Sequence, residues 1–317
     1  MKILVTGATG FIGRNLVEHL YAKGHDVVCF VRRTSKVDFL KERGISLVYG
    51  DVTNAADVNM AFCKEAPEAV FHCAALVMKD GRPKLFKNNV EGTLNICRAS
   101  LDQGVKKLIY LSSIAVICGN SEVPLTEGLS YKSSNTYGES KISAERIVMD
   151  FREEGLNVAI IRPSMVYGED EPHALDRILK LAEKRLIPVF DVAMNAKLHL
   201  VYVGNVIKAL DLALEKDEAS CGTFMIADKE VITVKEFLGI LYDELGAGTP
   251  PVISRHLVKL AMAIPLVRRR LEGFFKDRVY DITRATEELG YDPSISTEEG
   301  LRKSVRHWKD KKLRAAR

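Results

Sequence analysis

The chain has 317 residues, 47% of them apolar and 28% charged, and carries a net charge of +4. That balance suffices for a buried core in one large domain or two fused ones and excludes a disordered chain. The longest uninterrupted apolar run, LAMAIPLV at 260–267, falls far short of the roughly 20 residues that cross a bilayer, so no membrane span is expected.

The N-terminus enters a strand and a glycine turn instead of an apolar leader, which points to a cytoplasmic protein. From residue 2 to about 162, six short apolar runs follow one another: KILVT, DVVCFV, SLVYG, AVFHCAA, KLIYLSS and NVAIIRP. Amphipathic stretches lie between them, and helices are predicted over 11–23, 83–101 and 135–154. Each closes on or near a glycine (Gly24, Gly104, Gly155), the residue that best tolerates the turn at a helix C-terminus. Such alternation builds a parallel sheet buried on both faces. The predicted fold class is α/β, a doubly wound parallel (Rossmann) sheet with a smaller C-terminal substrate-binding lobe over the strand C-termini. The Rossmann domain is placed at 1–167, the segment 199–216 is expected to return to it, and 168–317 otherwise forms the lobe.

Directly after the first run, TGATGFIG sets Gly7, Gly10 and Gly13 three residues apart. Missing side chains let the backbone turn sharply, let a pyrophosphate approach a helix N-terminus, and let helix and strand pack closely. Gly7, Thr9, Gly10, Phe11, Ile12 and Gly13 are therefore the predicted dinucleotide cradle. The spacing is G-x-x-G-x-x-G, and a mere tight turn is the competing explanation. At the end of the second run, Val31 stands where an NAD site places its acid, and Arg32 and Arg33 follow. Arginine there suits a 2′-phosphate, so NADP is the expected cofactor and NAD the alternative; plain surface charge would also explain the pair. After the third run, Asp51, with Val52 beside it, is a candidate adenine contact, or else a helix N-cap.

The run LIYLSSIAV brings Ser112 and Ser113 to the strand end that precedes NTYGESKISAE, where Tyr137 and Lys141 lie four residues apart. An (i, i+4) pair shares one helical face. Lys141 is expected to lower the pKa of the Tyr137 phenol from its usual value near 10, making a usable acid/base, with Ser113 holding the substrate oxygen. The six cysteines (29, 63, 73, 97, 118, 221) show no metal-ligand spacing, and no metal site is expected. Residues 251–317 carry 16 Lys and Arg against nine Asp and Glu. A basic end of this kind reads as a solvated terminus, and no nucleic-acid partner is expected.

In this order the motifs resemble the extended branch of the short-chain dehydrogenase/reductase superfamily, nearly end to end. TGATGFIG resembles its glycine turn, FHCAA its fourth-strand motif, NNVEGTLNI the next helix, YLSS and YGESK its Ser and Tyr-x-x-x-Lys, RPSMVYG its nicotinamide-proximal loop, and 279–301 its usual ending. The resemblance implies Tyr137 as proton donor or acceptor, Lys141 as its activator and ribose ligand, and Ser113 as substrate partner. Ser112 replaces Ser113 if the register slips by one, because the usual AVYG reads AVICG here. It further implies Ala74 and Ala75 beside the ribose and pyrophosphate, Asn89 near the nicotinamide, Pro163 and Val166 against its ring, and a homodimer through the helices that begin near Asn89 and Tyr137.

Two reactions fit the triad: hydride transfer between cofactor and a small-molecule carbonyl or secondary alcohol, or nucleotide-sugar 4-epimerisation or dehydration with bound NAD. The first is favoured because the stretch before the closing motif, GFFKDRVYDITRA, lacks the diphosphate-binding pattern common in the second group, although Arg278 and Arg268 to Arg270 remain available to phosphate. A non-catalytic dinucleotide sensor is the third possibility; such proteins lose the Tyr or Lys, and both are present. His72 is read as a packed histidine; His173 and His199 as surface residues or substrate contacts; Met165, Met194, Met225 and Met262 as core fillers or pocket lining. The segment 255–275 is read as the packing face of the small lobe, with a lid or a membrane-surface helix as its alternatives.

Overall fold

The computed structural model describes residues 1–77, 81–172, 174–187, 189–190, 195–217, 222–248, 250, 252–253 and 276–315. The segment 255–275, His173, Met194, Met262 and Arg268 to Arg270 lie outside the described residues. Two compact units are present. One comprises Met1–Pro163, Val206–Ile226 and Asp281–Tyr291; the other Ser164–Asn205, Ala227–Tyr280 and Asp292–Arg317.

In the first unit β1 (Lys2–Thr6), α1 (Phe11–Ala22), β2 (Asp26–Val31), α2 (Asp38–Glu42), β3 (Ser46–Tyr49), α3 (Ala55–Glu65) and β4 (Ala69–His72) follow in turn. Then come α4 (Arg82–Phe86), a π-turn (Lys87–Glu91), α5 (Gly92–Asp102), β5 (Lys107–Leu111), α6 (Thr136–Glu153) and β6 (Val158–Pro163). Seven parallel strands form one sheet in the order Thr223–Ile226, β6, β5, β4, β1, β2, β3. The α/β doubly wound class is thus observed. Side chains alternate along each strand: Leu4, Phe30, Val70, Leu108 and Ile160 turn to the face where Val58, Phe62, Ile96, Val148 and Phe151 of α3, α5 and α6 join them in one buried cluster. Each such side chain contributes about 1.5–3 kcal/mol on burial, which is why these apolar runs become interior strands.

Strand order reverses at β1, whose neighbours are β2 and β4. Open parallel sheets hold ligands in the crevice outside such a reversal.

Three features depart from the sequence expectation. The helix predicted over 83–101 is interrupted by the π-turn, which inserts one extra residue into the helical ladder. Of the segment 199–216, expected to return to the first domain, Leu200–Tyr202 instead pairs with Met165–Tyr167 in the second unit, whereas the chain from Val206 to Ile226 clusters with the first unit and supplies Thr223–Ile226 as the seventh strand. The closing segment Asp281–Tyr291 clusters with the first unit.

The second unit packs the helices Leu175–Glu183, Val234–Leu245 and Thr297–Ala315 around Tyr167, Leu179, Leu241, Leu301 and Val305. Thr233 and Glu236 form a reciprocal capping box at the start of Val234–Leu245, and Gly246, at φ 70°, ends it. Asp228 is its polar hub, accepting from Tyr167, Asn205, Thr297 and the Tyr202 amide. His199 is buried between the Asp228 carbonyl (2.7 Å) and the Tyr280 amide (3.1 Å), so it is a structural residue and not a surface one. Met225 is a core residue, whereas Met165 is 44% exposed. No helix among the described residues is long and apolar enough to cross a membrane.

Candidate active site

The crevice outside β1 and β4 opens as a cleft of about 280 Å³ lined by Gly7 to Gly10, Phe30, Val31, Arg32, Ser35, Gly50, Val52, Cys73 to Leu76 and Asn88. Backbone demands explain its glycines. Gly7 sits at φ +71°, and a Cβ there would lie 2.6 Å from the Ala74 nitrogen and the Cys73 carbonyl carbon. A Cβ on Gly13 would stand 2.1 Å from the Gly7 carbonyl oxygen, so α1 approaches the turn as closely as only glycine permits. Gly10 caps α1 without any side-chain bond, leaving the first amides of that helix to an outside acceptor. An open cradle of amides that a Cβ would fill fits a pyrophosphate and the positive end of a helix dipole.

Arg32 is exposed at the rim of this cleft beside Ser35, which the sequence reading did not single out, and has no ion-pair partner among the described residues. Arg33 turns away to lie over the Tyr49 ring at 5.8 Å. Asp51 is not a helix cap: Asn54 caps α3, while Asp51 Oδ1 accepts from the Thr53 amide at 2.9 Å. Ala74 and Ala75 line the cleft. Asn89, expected near the nicotinamide, is buried and held by the cleft-lining Leu76. Its Oδ1 accepts from the Leu76 amide (2.7 Å), and its Nδ2 donates to the Leu76 carbonyl (3.0 Å) and Ser140 Oγ (2.9 Å). Its neighbour Asn88 faces the cleft. Pro163 ends β6, while Val166 belongs to the other unit.

At the C-terminal end of β5 the two serines separate. Ser112 is 3% exposed and donates to the buried Glu145 carboxylate. Ser113 accepts from the Ala115 amide at 3.2 Å and hydrogen-bonds the Tyr137 side chain. Ser113, not Ser112, is therefore the hydroxyl that meets Tyr137. Asn135 presets the other half of the pair: its side chain caps α6 by accepting from the Gly138 amide at 2.9 Å.

Lys141 behaves differently from the expectation. Its ammonium donates to the Leu111 carbonyl (2.8 Å) and the Tyr110 hydroxyl (3.3 Å) and lies 4.8 Å from the Tyr110 ring centre. Burial draws its pKa down from 10.5 to about 8, against the opposing pull of Glu145 and Cys73. The phenol of Tyr137 is not acidified. Desolvation pushes it up to about 12, only partly countered by the Ser113 hydrogen bond. Burial also pushes the Cys73 thiol up to about 12.

Behind these groups His72 is a packed histidine. Thr6 Oγ1 is 2.7 Å from Nδ1 and Thr93 Oγ1 3.1 Å from Nε2. Thr93 itself donates to the Asn89 carbonyl at 2.6 Å. This assigns the His72 proton to Nε2, with Thr6 donating to Nδ1 and accepting from the Ala74 amide at 3.2 Å. Burial brings its pKa to about 3, so the ring is neutral.

Comparison with known proteins agrees with this geometry. The family model described as "NAD dependent epimerase/dehydratase family" matches residues 3–227. A 3-beta-hydroxysteroid dehydrogenase of Mycolicibacterium neoaurum is 29% identical over 98% of this chain and 92% of its own length. A 2-alkyl-3-oxoalkanoate reductase of Shewanella oneidensis is 28% identical, covering 94% and 84%. Among solved structures, the UDP-glucose 4-epimerase of Thermotoga maritima with UDP-glucose superposes with a TM-score of 0.82 at 28% identity, over 98% of this chain and 99% of that one. With the cradle, the Tyr-x-x-x-Lys helix and the matched span in agreement, this chain belongs to the NAD dependent epimerase/dehydratase family and is an NAD(P)-dependent enzyme of the extended short-chain dehydrogenase/reductase type.

Proposed function

We propose that the enzyme catalyses net hydride transfer between NADP(H) and a carbonyl or secondary alcohol of a small molecule, favouring reduction of the carbonyl. The observation that carries the proposal is the Ser113–Tyr137 pair, whose phenol, with a pKa near 12, keeps its proton at neutral pH. A protonated phenol is a proton donor, which is what reduction of a carbonyl requires. The nicotinamide supplies the hydride. Ser113 holds the carbonyl oxygen, and Tyr137 delivers the proton to that oxygen as negative charge develops on it. Lys141, anchored on Leu111 and Tyr110, places a positive charge beneath the pair and hydrogen-bonds the ribose. Gly7, Thr9, Gly10, Phe11, Ile12 and Gly13 cradle the pyrophosphate, Ala74 and Ala75 flank it, and Val52 and Asp51 border the adenine.

Arg32 and Ser35 at the cleft rim favour a 2′-phosphate, hence NADP over NAD. The likeness to a hydroxysteroid dehydrogenase and an oxoalkanoate reductase supports an apolar or β-keto substrate class. A second reading, 4-epimerisation or dehydration of a nucleotide sugar with bound NAD, draws on the fold likeness to the UDP-glucose complex. Incubation with NADPH and a panel of ketones and β-keto acids, then with NAD and UDP-sugars, separates the two. Loss of reduced-nicotinamide absorbance with a ketone supports the first, and sugar interconversion without net redox overturns it in favour of the second.

The protein is further proposed to act in the cytoplasm as a homodimer through α5 and α6. Ala144, Val148 and Phe151 of α6 are consumed by the core. Ile147 packs against that core, and Ile142 and the 41% exposed Leu94 remain for a second copy. Light scattering that returns a monomer mass rejects the dimer.

A further inference from the structure

Glu145 is the most heavily committed polar group near the catalytic end of the sheet, and neither the motifs nor the proposed chemistry uses it. It lies on the helical face of Tyr137 and Lys141, one further step of four residues along α6. It is fully buried, at 0% exposure. Its contacts lead to three other parts of the first unit. Arg162, near the end of β6, grips the carboxylate with Nε at 3.0 and 3.2 Å and Nη2 at 2.6 Å. Tyr131, in the loop before α6, donates to Oε2 at 2.9 Å. Ser112, just past β5, donates to Oε1. Arg162 also reaches the Glu127 carbonyl at 3.4 Å. A carboxylate withdrawn from water persists only with its charge paired and its lone pairs filled, and both conditions hold here.

The consequence lies in the neighbour of Ser112. Ser113 has extended backbone angles, φ −164° and ψ 150°. Along extended chain, successive side chains point to opposite sides. Holding Ser112 inward on Glu145 therefore turns Ser113 outward, toward the phenol. We propose that Glu145, clamped by Arg162, is a positioning residue that draws Ser112 into the interior and thereby presents Ser113 to Tyr137. The proposal rests on Ser113 and Tyr137 being the proton-transfer pair. The groups facing the Lys141 ammonium are Tyr110 and the Leu111 carbonyl from β5, His72 and Cys73 from the end of β4, and Glu145 from α6. Glu145 is the carboxylate of that set, so one side chain sets the geometry of the serine and offsets the desolvation of the lysine.

Direct substitution of Glu145 would strand a buried guanidinium and compromise folding. Ser112 is the sharper handle. The full chain is labelled with tyrosine carrying ¹³C at Cζ, and the Tyr137 resonance is assigned by its loss in Tyr137→Phe. Ser112→Ala, which removes only the tie between the β5 end and Glu145, is expected to shift the Tyr137 resonance. It should also lower kcat for NADPH-dependent ketone reduction by about 10- to 100-fold, as a displaced catalytic group does. NADPH affinity, read by nicotinamide fluorescence, should stay within about twofold, because the cleft is untouched. Ser112→Thr, which keeps the hydroxyl, should restore both the resonance and the turnover. A Tyr137 resonance unmoved by Ser112→Ala overturns the positioning role on its own, whatever ketone is used. Full turnover in Tyr137→Phe instead overturns the proton-transfer pair, a separate failure.

Discussion

The cleft at the head of α1 and the corner at the end of β5 belong to one unit but are built by opposite means. The cleft is made of main chain: Gly7, Gly10 and Gly13 matter through what they lack, and their tolerances are measured in fractions of an ångström. The corner is made of side chains, and each one works through a partner distant in sequence, as Ser112 does through Glu145 and Lys141 through Leu111. Backbone sites leave a mark in local spacing, whereas side-chain sites depend on which strand ends fall side by side.

Substitutions can set the two regions against each other. The largest effect is expected at the corner: Tyr137→Phe should cut turnover by about 10²- to 10⁴-fold while NADPH affinity holds, since only an acid/base is lost. Steady-state kinetics beside fluorescence titration checks it, and equal loss in both would erase the distinction between the regions. Next comes the cleft. Gly13→Ala forces a Cβ against the Gly7 carbonyl oxygen, 2.1 Å away. Overpacking of this kind costs about 1–3 kcal/mol, and the cofactor affinity should fall with the stability, read by urea unfolding and titration together.

Arg32→Ala should weaken NADPH by about 10- to 100-fold and leave NADH unchanged, the worth of one or two charge-assisted hydrogen bonds. Equal loss for both dinucleotides would remove the 2′-phosphate assignment.

A smaller signature lies in pH. With the Lys141 pKa drawn down to about 8 from 10.5, the unfolded chain keeps a proton across that interval that the folded chain has released. Stability due to this residue therefore rises with pH between about 8 and 10.5, and below that window the burial of the charge is felt in full. The slope is at most about 1.4 kcal/mol per pH unit. It should vanish in Lys141→Met when unfolding is compared at two pH values in that range. The smallest effect is expected for Arg33→Ala, under about twofold on either cofactor, because Arg33 lies over Tyr49 outside the cleft lining and exposed contacts of this kind are worth little.

Legibility followed the same division. The six strand runs were readable because burial on both faces demands continuous apolar residues, and the glycine turn because three omissions at fixed spacing have few causes. Tyr137 and Lys141 were readable from helical spacing, but not the direction of the phenol pKa, which depends on desolvation that no spacing records. Nor did any local pattern separate Ser112 from Ser113; the difference comes from Glu145, 33 residues from Ser112 along the chain. Asn89 was reached through the resemblance alone; that its side chain bonds Leu76 and Ser140 while Asn88 lines the cleft is a fact of folding that no local pattern records. Arg162, Tyr131 and Ser140 were missed for the same reason as Glu145: each is an ordinary polar residue until folding supplies its partner.

That π-turn, Lys87–Glu91, makes the segment intolerant of a change in length. Removing one residue would restore a regular helix and rotate everything ahead of it by about 100° relative to α5. Asn88 would leave the cleft and Asn89 would release Leu76 and Ser140 together. In laboratory evolution or homologue shuffling, this stretch should therefore accept changes of residue type far more readily than a one-residue deletion.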